Sequence, residues 1–313
     1  MSAPDEPLAL PEEQVALAGH PVPATPAPDR DETRLARRER LRLLARSTTF
    51  IAGAILFGIF VFCAIFGPWV VPYPPLGGNL AEEIANKLQP PSWSHLFGTD
   101  QLGRDVFSRV IVGARDILIT APLATLLGTV LGTVIGLVTG YYRGVVDDVV
   151  MRLVDAVLAI PLVILGLVAL VAVGPSKLTV IVVIGLVFAP IIARTVRAAV
   201  LSERELDYVQ AAKLRNERAP YIMFAEILPN VSAPIVVEFT VRLGYAIFAI
   251  ATLSFLGFGV QPPAPDWGLQ VSENYILVNG GYWWPTLFPA LAIALLVIAI
   301  NLVTDGISRV FER

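Results

Sequence analysis

The sequence predicts an all-α, polytopic membrane protein, and three observations carry that prediction. Of its 313 residues, 55% are hydrophobic and only 16% are charged, whereas a soluble domain averages about 25% charged. Six apolar runs approach the roughly 20 residues that cross a bilayer as a helix. A cluster of arginines (Arg34, Arg37, Arg38, Arg40, Arg42 and Arg46) stands just before the first run, which by the positive-inside rule keeps that end in the cytoplasm.

Residues 1–47 read as a cytoplasmic N-terminal extension and 48–313 as the transmembrane domain. Met1–Glu32 is rich in Pro, Ala and acidic residues without an apolar period, so it is expected to be disordered. It lacks the basic start and apolar core of a signal peptide. Arg34–Arg46 is read as a topology determinant that also touches anionic membrane lipid. The formal net charge of −3 leaves no basic surface for nucleic acid.

Thr49–Val71 is the first span, running from cytoplasm to exterior. Pro72–Asp116 is an exterior segment with Pro-Pro pairs and Trp93. Within it Gly98 and Gly103 give turn freedom, while Asp100, Arg104, Asp105 and Arg109 offer a small charge network. The stretch reads as a tight loop leading into a helix, with Asp105 favourable in its first turn. Ile117–Gly140 is the second span. Gly128, Gly132, Gly136 and Gly140 recur every fourth residue and so form one face, where small side chains let helices approach closely in lipid.

Tyr141–Arg152 reads as a short cytoplasmic turn, and Leu153–Val173 as the third span, kinked at Pro161. Asp155 near its entry has two readings: a transport role, as for carboxylates within spans, or a pair with Arg152 or a helix cap. The fourth span covers 178–198, continuing past Arg194 and Arg197. The loop 199–231 is the longest polar interruption of the C-terminal half. Leu201–Leu214 reads as a short helix, 215–218 as a turn closed by Asn216 in the left-handed region, and a second amphipathic segment ends at Pro229. A helix–turn–helix outside the bilayer, held by spans on both sides, has the shape for docking a partner.

Span five covers 232–257. Its Glu238 and Arg242 are four apart, share a face and can pair, either structurally or along a pathway. Trp267, Tyr282, Trp283 and Trp284 read as an interfacial aromatic belt or as an exterior partner contact, in a segment without Lys or Arg. Span six covers 285–305, and the C-terminus returns to the cytoplasm. The single cysteine, Cys63, permits no internal disulfide and reads as a packed thiol. His20 and His95 have no partners at ligand spacing, so no metal site is expected.

Three stretches carry a resemblance to the permease subunits of binding-protein-dependent ABC importers, in the dipeptide/oligopeptide branch. Tyr208–Pro229 resembles the family's coupling loop, E-A-A-x-x-x-G with an I-x-L-P-like ending. Gln210 stands for the Glu, Ala211 and Ala212 match, Asn216 stands for the Gly, and Ile227, Leu228 and Pro229 close it. Gly98-Thr99-Asp100-Gln101-Leu102-Gly103-Arg104-Asp105 is similar to G-T-D-x-x-G-R-D. Ser254–Pro263 is similar to S-F-L-G-x-G-x-x-P-P, and Asn301, Asp305 and Gly306 fit a terminal N-L-x-x-D-G.

The resemblance implies a type I importer fold in the bacterial plasma (inner) membrane. It implies a C-type subunit that moves dipeptides or oligopeptides beside a second, homologous permease subunit. Two ATPase subunits would grip the coupling loops, at residues 208, 210–212, 216 and 227–229. ATP and Mg would sit on those subunits and no cofactor on this chain. An extracytoplasmic binding protein would deliver cargo, and the 98–109 loop would serve the exterior gate or that contact. Nickel or another small solute is the alternative cargo.

Two other classes fit less well. An ion-driven secondary transporter predicts inverted repeats around mid-membrane polar sites, and no convincing internal repeat is present. An enzyme needs an activated nucleophile or a zinc motif, and none is recognisable. No G-x-x-x-x-G-K-[ST] occurs anywhere in the chain, so ATP-driven work needs a separate nucleotide-binding subunit.

Overall fold

The computed structural model describes residues 47–78 and 80–311. The N-terminal extension and the basic segment Arg34–Arg46 lie outside these residues. Helices α1 (Thr48–Val70), α3 (Val106–Tyr142), α6 (Lys177–Glu203), α8 (Ser232–Phe255) and α10 (Trp284–Phe311) form the bundle. Five helices are long and apolar enough to cross a membrane, or six if one bent pair counts as a span. Between them lie the short helices α2 (Leu80–Ala85), α4 (Gly144–Leu158), α5 (Leu162–Val173), α7 (Asp207–Leu214) and α9 (Trp267–Asn274).

Three of the bundle helices start on side-chain caps, which satisfy amide groups that the first turn leaves unpaired. Ser47 accepts from Phe50 N, Ser176 from Thr179 N and Asp105 from Ser108 N. Because Asp105 is the cap itself, α3 begins at Val106 rather than near 117, and the loop expected over 72–116 ends eleven residues early. At 37 residues, α3 is about 55 Å long at 1.5 Å per residue, well beyond the roughly 30 Å hydrocarbon core.

The closest helix pair is α3 with α6, and the glycine stripe is the reason. A Cβ at Gly132 would meet Ile192 Cβ at 2.7 Å, and one at Gly136 would meet Val196 Cβ at 2.7 Å and Ala193 O at 2.8 Å. Helices this close exchange dispersion contacts along their whole length. Both run in the same direction, since Gly128 meets Gly185 and Gly140 meets Val200.

Two expectations fail around residue 150. The short turn expected at 141–152 is the helix α4. The third span, expected over 153–173, is broken between α4 and α5, whose axes differ by 91°. Pro161 carries no N–H and disfavours helical geometry at Ile160, so the chain stops rather than kinks there. The helix expected over 201–214 also splits. α6 continues to Glu203, and Leu206, extended at ψ 152°, precedes the new start at Asp207. Loop 199–231 therefore begins inside α6.

Candidate functional site

Two polar assemblies occupy opposite ends of the bundle. One is a cap built from loop 86–105 and α9. The other is an elbow, residues 204–230.

In the cap, Gly98 and Gly103 have φ of 71° and 79°, a region that disfavours side chains. Neither has room for a Cβ, which at Gly98 would sit 2.6 Å from Gln89 O. The turn folds Asp100 back on itself: its Oδ1 accepts from Leu102 N at 2.9 Å and Arg104 N at 3.0 Å, and its Oδ2 from Arg104 Nε at 2.7 Å. Arg104 Nη2 donates to Glu273 Oε2 on α9 at 2.8 Å. Arg109 completes the set, 3.8 Å from Asp100 and 3.5 Å from Glu273. Two cations thus face two anions inside the protein. Asp105 is engaged separately, by His95 Nδ1 at 2.9 Å and by Ser108.

Of the four charges expected to form a network, Asp100, Arg104 and Arg109 do so, Asp105 pairs elsewhere, and Glu273 is a member the sequence did not reveal. Glu273 lies in the segment that lacks Lys and Arg, 169 residues from its partner. The four network side chains and Asp105 are largely buried (Arg109 at 1% exposure, Glu273 at 16%), so they hold the cap together from within.

The aromatic belt is also corrected. Trp267 is buried, with Nε1 donating to Val110 O at 2.8 Å, and Trp284 is buried, with Nε1 on Thr99 O at 3.0 Å. Only Tyr282 and Trp283 remain exposed. A buried indole carries a donor that needs a partner, and both tryptophans use it to pin the cap to the bundle.

Asp266 caps α9 through Leu269 N at 2.9 Å. It is fully buried, and desolvation pushes its carboxyl up to about 6 from an ordinary 3.8, against the pull of its backbone hydrogen bond. The raised folded value means that the acid form favours folding: this contribution is full below about pH 4 and is lost as pH rises through about 6. Over that window the wild type is expected to lose about 3 kcal/mol, at 1.4 kcal/mol per pKa unit. Asp266→Asn keeps the cap and should flatten this part of the profile. Thermal unfolding of both proteins at pH 4 to 7 checks it; parallel profiles would contradict it.

At the elbow, α7 is held on one side. Tyr208 OH donates to Glu203 Oε1 at 2.8 Å and accepts from Asn230 Nδ2 at 3.2 Å. Desolvation and the Glu203 bond push this phenol up to about 12, so it stays a donor. Gln210 Nε2 donates to Arg204 O at 3.0 Å, and Arg204 Nη1 donates to Tyr141 O at 2.5 Å, tying the elbow to the end of α3. After the turn come Ala219–Tyr221, a π-helical stretch Ile222–Ile227, and Leu228–Asn230, which enters α8. Ile227 is buried, Leu228 half-buried and Pro229 exposed.

The adjacent Ala211 and Ala212 lie on different faces of α7. Ala212 is fully buried in this chain, while Ala211 is exposed. Leu214 is 85% exposed, with Leu206, Tyr221 and Phe224 also open. Large apolar groups left open on a polar elbow mark an interaction surface. Leu214 was not singled out in the sequence; its place in the last turn of α7, before a polar turn, is the signal that could have found it.

Asn216 has φ of 56°, as the turn requires. Asn216→Gly is expected to keep the fold, and Asn216→Val to cost about 1–3 kcal/mol for a β-branched residue held in that region. Melting of the two variants in detergent compares them directly; equal stability would contradict the requirement.

The other charges singled out in the sequence are paired. Arg242 Nε meets Glu238 Oε2 at 2.9 Å, as spacing predicted, and Thr195 Oγ1 donates to Glu238 at 2.9 Å. Asp155 pairs with Arg194, not with Arg152, because the break at 159–161 turns α4 across α6. Arg197 holds Asp147 through both carboxylate oxygens. Among the described residues no cluster of His, Cys, Asp or Glu could hold a metal.

A glycine-zipped bundle of membrane-spanning length, with a locked cap at one end and a polar elbow at the other, is the architecture of a membrane transport component. The chain belongs to the family of binding-protein-dependent transport system inner membrane components, which residues 132–313 match. Residues 37–91 match the N-terminal transmembrane domain of oligopeptide transport permease C. Over 277 residues the chain is 36% identical to the di/tripeptide transport system permease protein DppC of Pseudomonas aeruginosa, covering 86% of this chain and 89% of that one. It is 40% identical over 294 residues to the dipeptide transport system permease protein DppC of Escherichia coli K12, covering 92% and 93%. The DppC of Alkalihalophilus pseudofirmus is 36% identical over 289 residues, again covering 92% and 93%. The chain is thus a multi-pass inner-membrane component of a transport system with ATPase and substrate-binding partners.

Proposed function

We propose that this chain is one of two homologous permease subunits of an ABC importer for short peptides. The observation that carries the reading is the elbow: Ala211 and Leu214 open on α7, backed by a hydrogen-bonded lock to α6 and α3, in a chain similar to di- and tripeptide permeases. Both termini and the elbow lie in the cytoplasm, as the arginine cluster before the first span directs. The cap faces the exterior, where a binding protein delivers cargo.

Nucleotide chemistry belongs to the partners: two ATPase subunits bind ATP and Mg, and this chain binds neither. ATPase closure displaces α7 through Ala211 and Leu214. The Tyr208–Glu203 and Arg204–Tyr141 hydrogen bonds pass that displacement to α6 and α3, and Leu228–Asn230 passes it to α8. The bundle changes its access only if the partner contacts differ between ATPase states. Asp100, Arg104, Asp105 and Arg109 keep the cap rigid beneath the exterior gate.

The test is transport by the assembled complex in proteoliposomes, with labelled dipeptide and binding protein outside and ATP inside. Accumulation of dipeptide that requires both ATP and binding protein is expected. Movement of nickel or another small solute with no dipeptide uptake would overturn the choice of cargo.

A further inference from the structure

A groove of about 560 Å3 opens between α1 and α3, with Leu243 of α8 on its wall. Its lining is apolar apart from Arg115. That side chain is exposed and has no ion pair or hydrogen bond among the described residues, while its neighbour Asp116 is already taken by Lys177 Nζ at 2.6 Å.

The level of Arg115 follows from helix register. α1 runs toward the cap and α3 away from it, and Gly67 meets Ile111, so Arg115 stands level with Cys63 and Ala64. Lys177, bonded to Asp116, is the first residue of α6. On the α6 side this level is the first turn of the helix, while on α1 apolar residues continue outward to Val70. From Arg115 the groove continues into the membrane past Val61 and Leu118 to Phe57 and Pro122. Seven residues of α3 from 115 to 122 cover about 10 Å, most of the roughly 15 Å hydrocarbon depth of one leaflet. Outward of Arg115, Trp69 is 78% exposed, at the level where indoles sit among headgroups.

We infer that this groove binds an anionic phospholipid of the cap-side leaflet, its phosphate on the Arg115 guanidinium and one acyl chain along α1 and α3. An unpaired guanidinium on the wall of an apolar slot matches that ligand in both parts. It offers a forked donor to phosphate oxygens, and the slot shelters hydrocarbon. With no ion-pair partner for Arg115 among the described residues, the site favours an anionic headgroup over a zwitterionic one.

Native mass spectrometry of the detergent-purified complex, titrated with phosphatidylglycerol or phosphatidylcholine, reads the site. Phosphatidylglycerol adducts are expected on the wild type in excess over phosphatidylcholine. They should weaken about tenfold in Arg115→Gln, corresponding to about 1.4 kcal/mol, and less in Arg115→Lys. Ala64→Trp fills the slot without touching the charge and should also lose the adduct. Equal phosphatidylglycerol retention by wild type and Arg115→Gln overturns the proposal. So does a loss of dipeptide uptake in Arg115→Gln with lipid retention intact, which would put this arginine on the cargo path.

Discussion

Replacing Glu273 with alanine is expected to destabilise the cap by about 3 kcal/mol, the low end of the cost of removing one partner from a buried ion pair. Asp100 and Glu273 balance Arg104 and Arg109, all largely out of water. Without Glu273, two guanidiniums share one carboxylate, and Arg104 Nη2 loses its acceptor at 2.8 Å. The low end applies because Glu273 keeps 16% exposure and water partly screens the uncovered charge. Adding Arg104→Met restores the charge balance around Arg109 and Asp100. The double variant should therefore recover part of the loss, giving a coupling energy above about 1 kcal/mol in a double-mutant cycle. Thermal unfolding in detergent supplies the four values. Additive effects of the two substitutions would show that the network is not energetically coupled.

The second large effect separates Ala211 from Ala212. Ala211→Glu adds a second carboxylate, beside Asp207, to the exposed face of α7. It should leave membrane insertion and melting temperature unchanged while abolishing ATPase association and uptake. Ala212→Glu buries a charge in a site with 0% exposure, and a carboxylate there has no partner to offset desolvation. It should reduce the yield of folded protein. Blue-native gels of membranes expressing each variant, with uptake assays alongside, distinguish the two. Normal uptake by Ala211→Glu would remove that face from the docking surface.

How far the sequence could be read follows from the range of each interaction. Composition and apolar run length predicted the helical membrane bundle, because lipid leaves the backbone no other way to satisfy its polar groups in a single segment. The glycine stripe was legible because a four-residue repeat is a local property of one helix. Asn216 was legible because a turn's backbone geometry depends on the residue that occupies it. Glu273 was not: its role appears only when α9 folds back over loop 86–105, and nothing near it in the chain signals Arg104. The burial of Trp267 and Trp284 has the same origin, since Val110 O and Thr99 O are distant in sequence.

The different exposure of Ala211 and Ala212 depends on where α7 starts. Residues 204–206 break the helix that polarity alone would have continued from 201. Pro161 was recognised as a disturbance, but its outcome depended on packing. The Asp147–Arg197 pair, with Asp147 8% exposed, joins α4 to α6, whereas the Asp155–Arg194 pair is open to solvent and adds little.

The central claim is that ATP hydrolysis by a separate subunit drives this bundle through the elbow. Cysteine placed at Leu214, 85% exposed on α7, tests it most directly when membranes carrying the assembled transporter are treated with a short bifunctional crosslinker. A crosslink to an ATP-hydrolysing chain, with a yield that changes between nucleotide-free and ATP-trapped membranes, is the expected result. A complex that purifies without any nucleotide-hydrolysing chain, or a Leu214→Cys crosslink that never reaches one, would contradict the account.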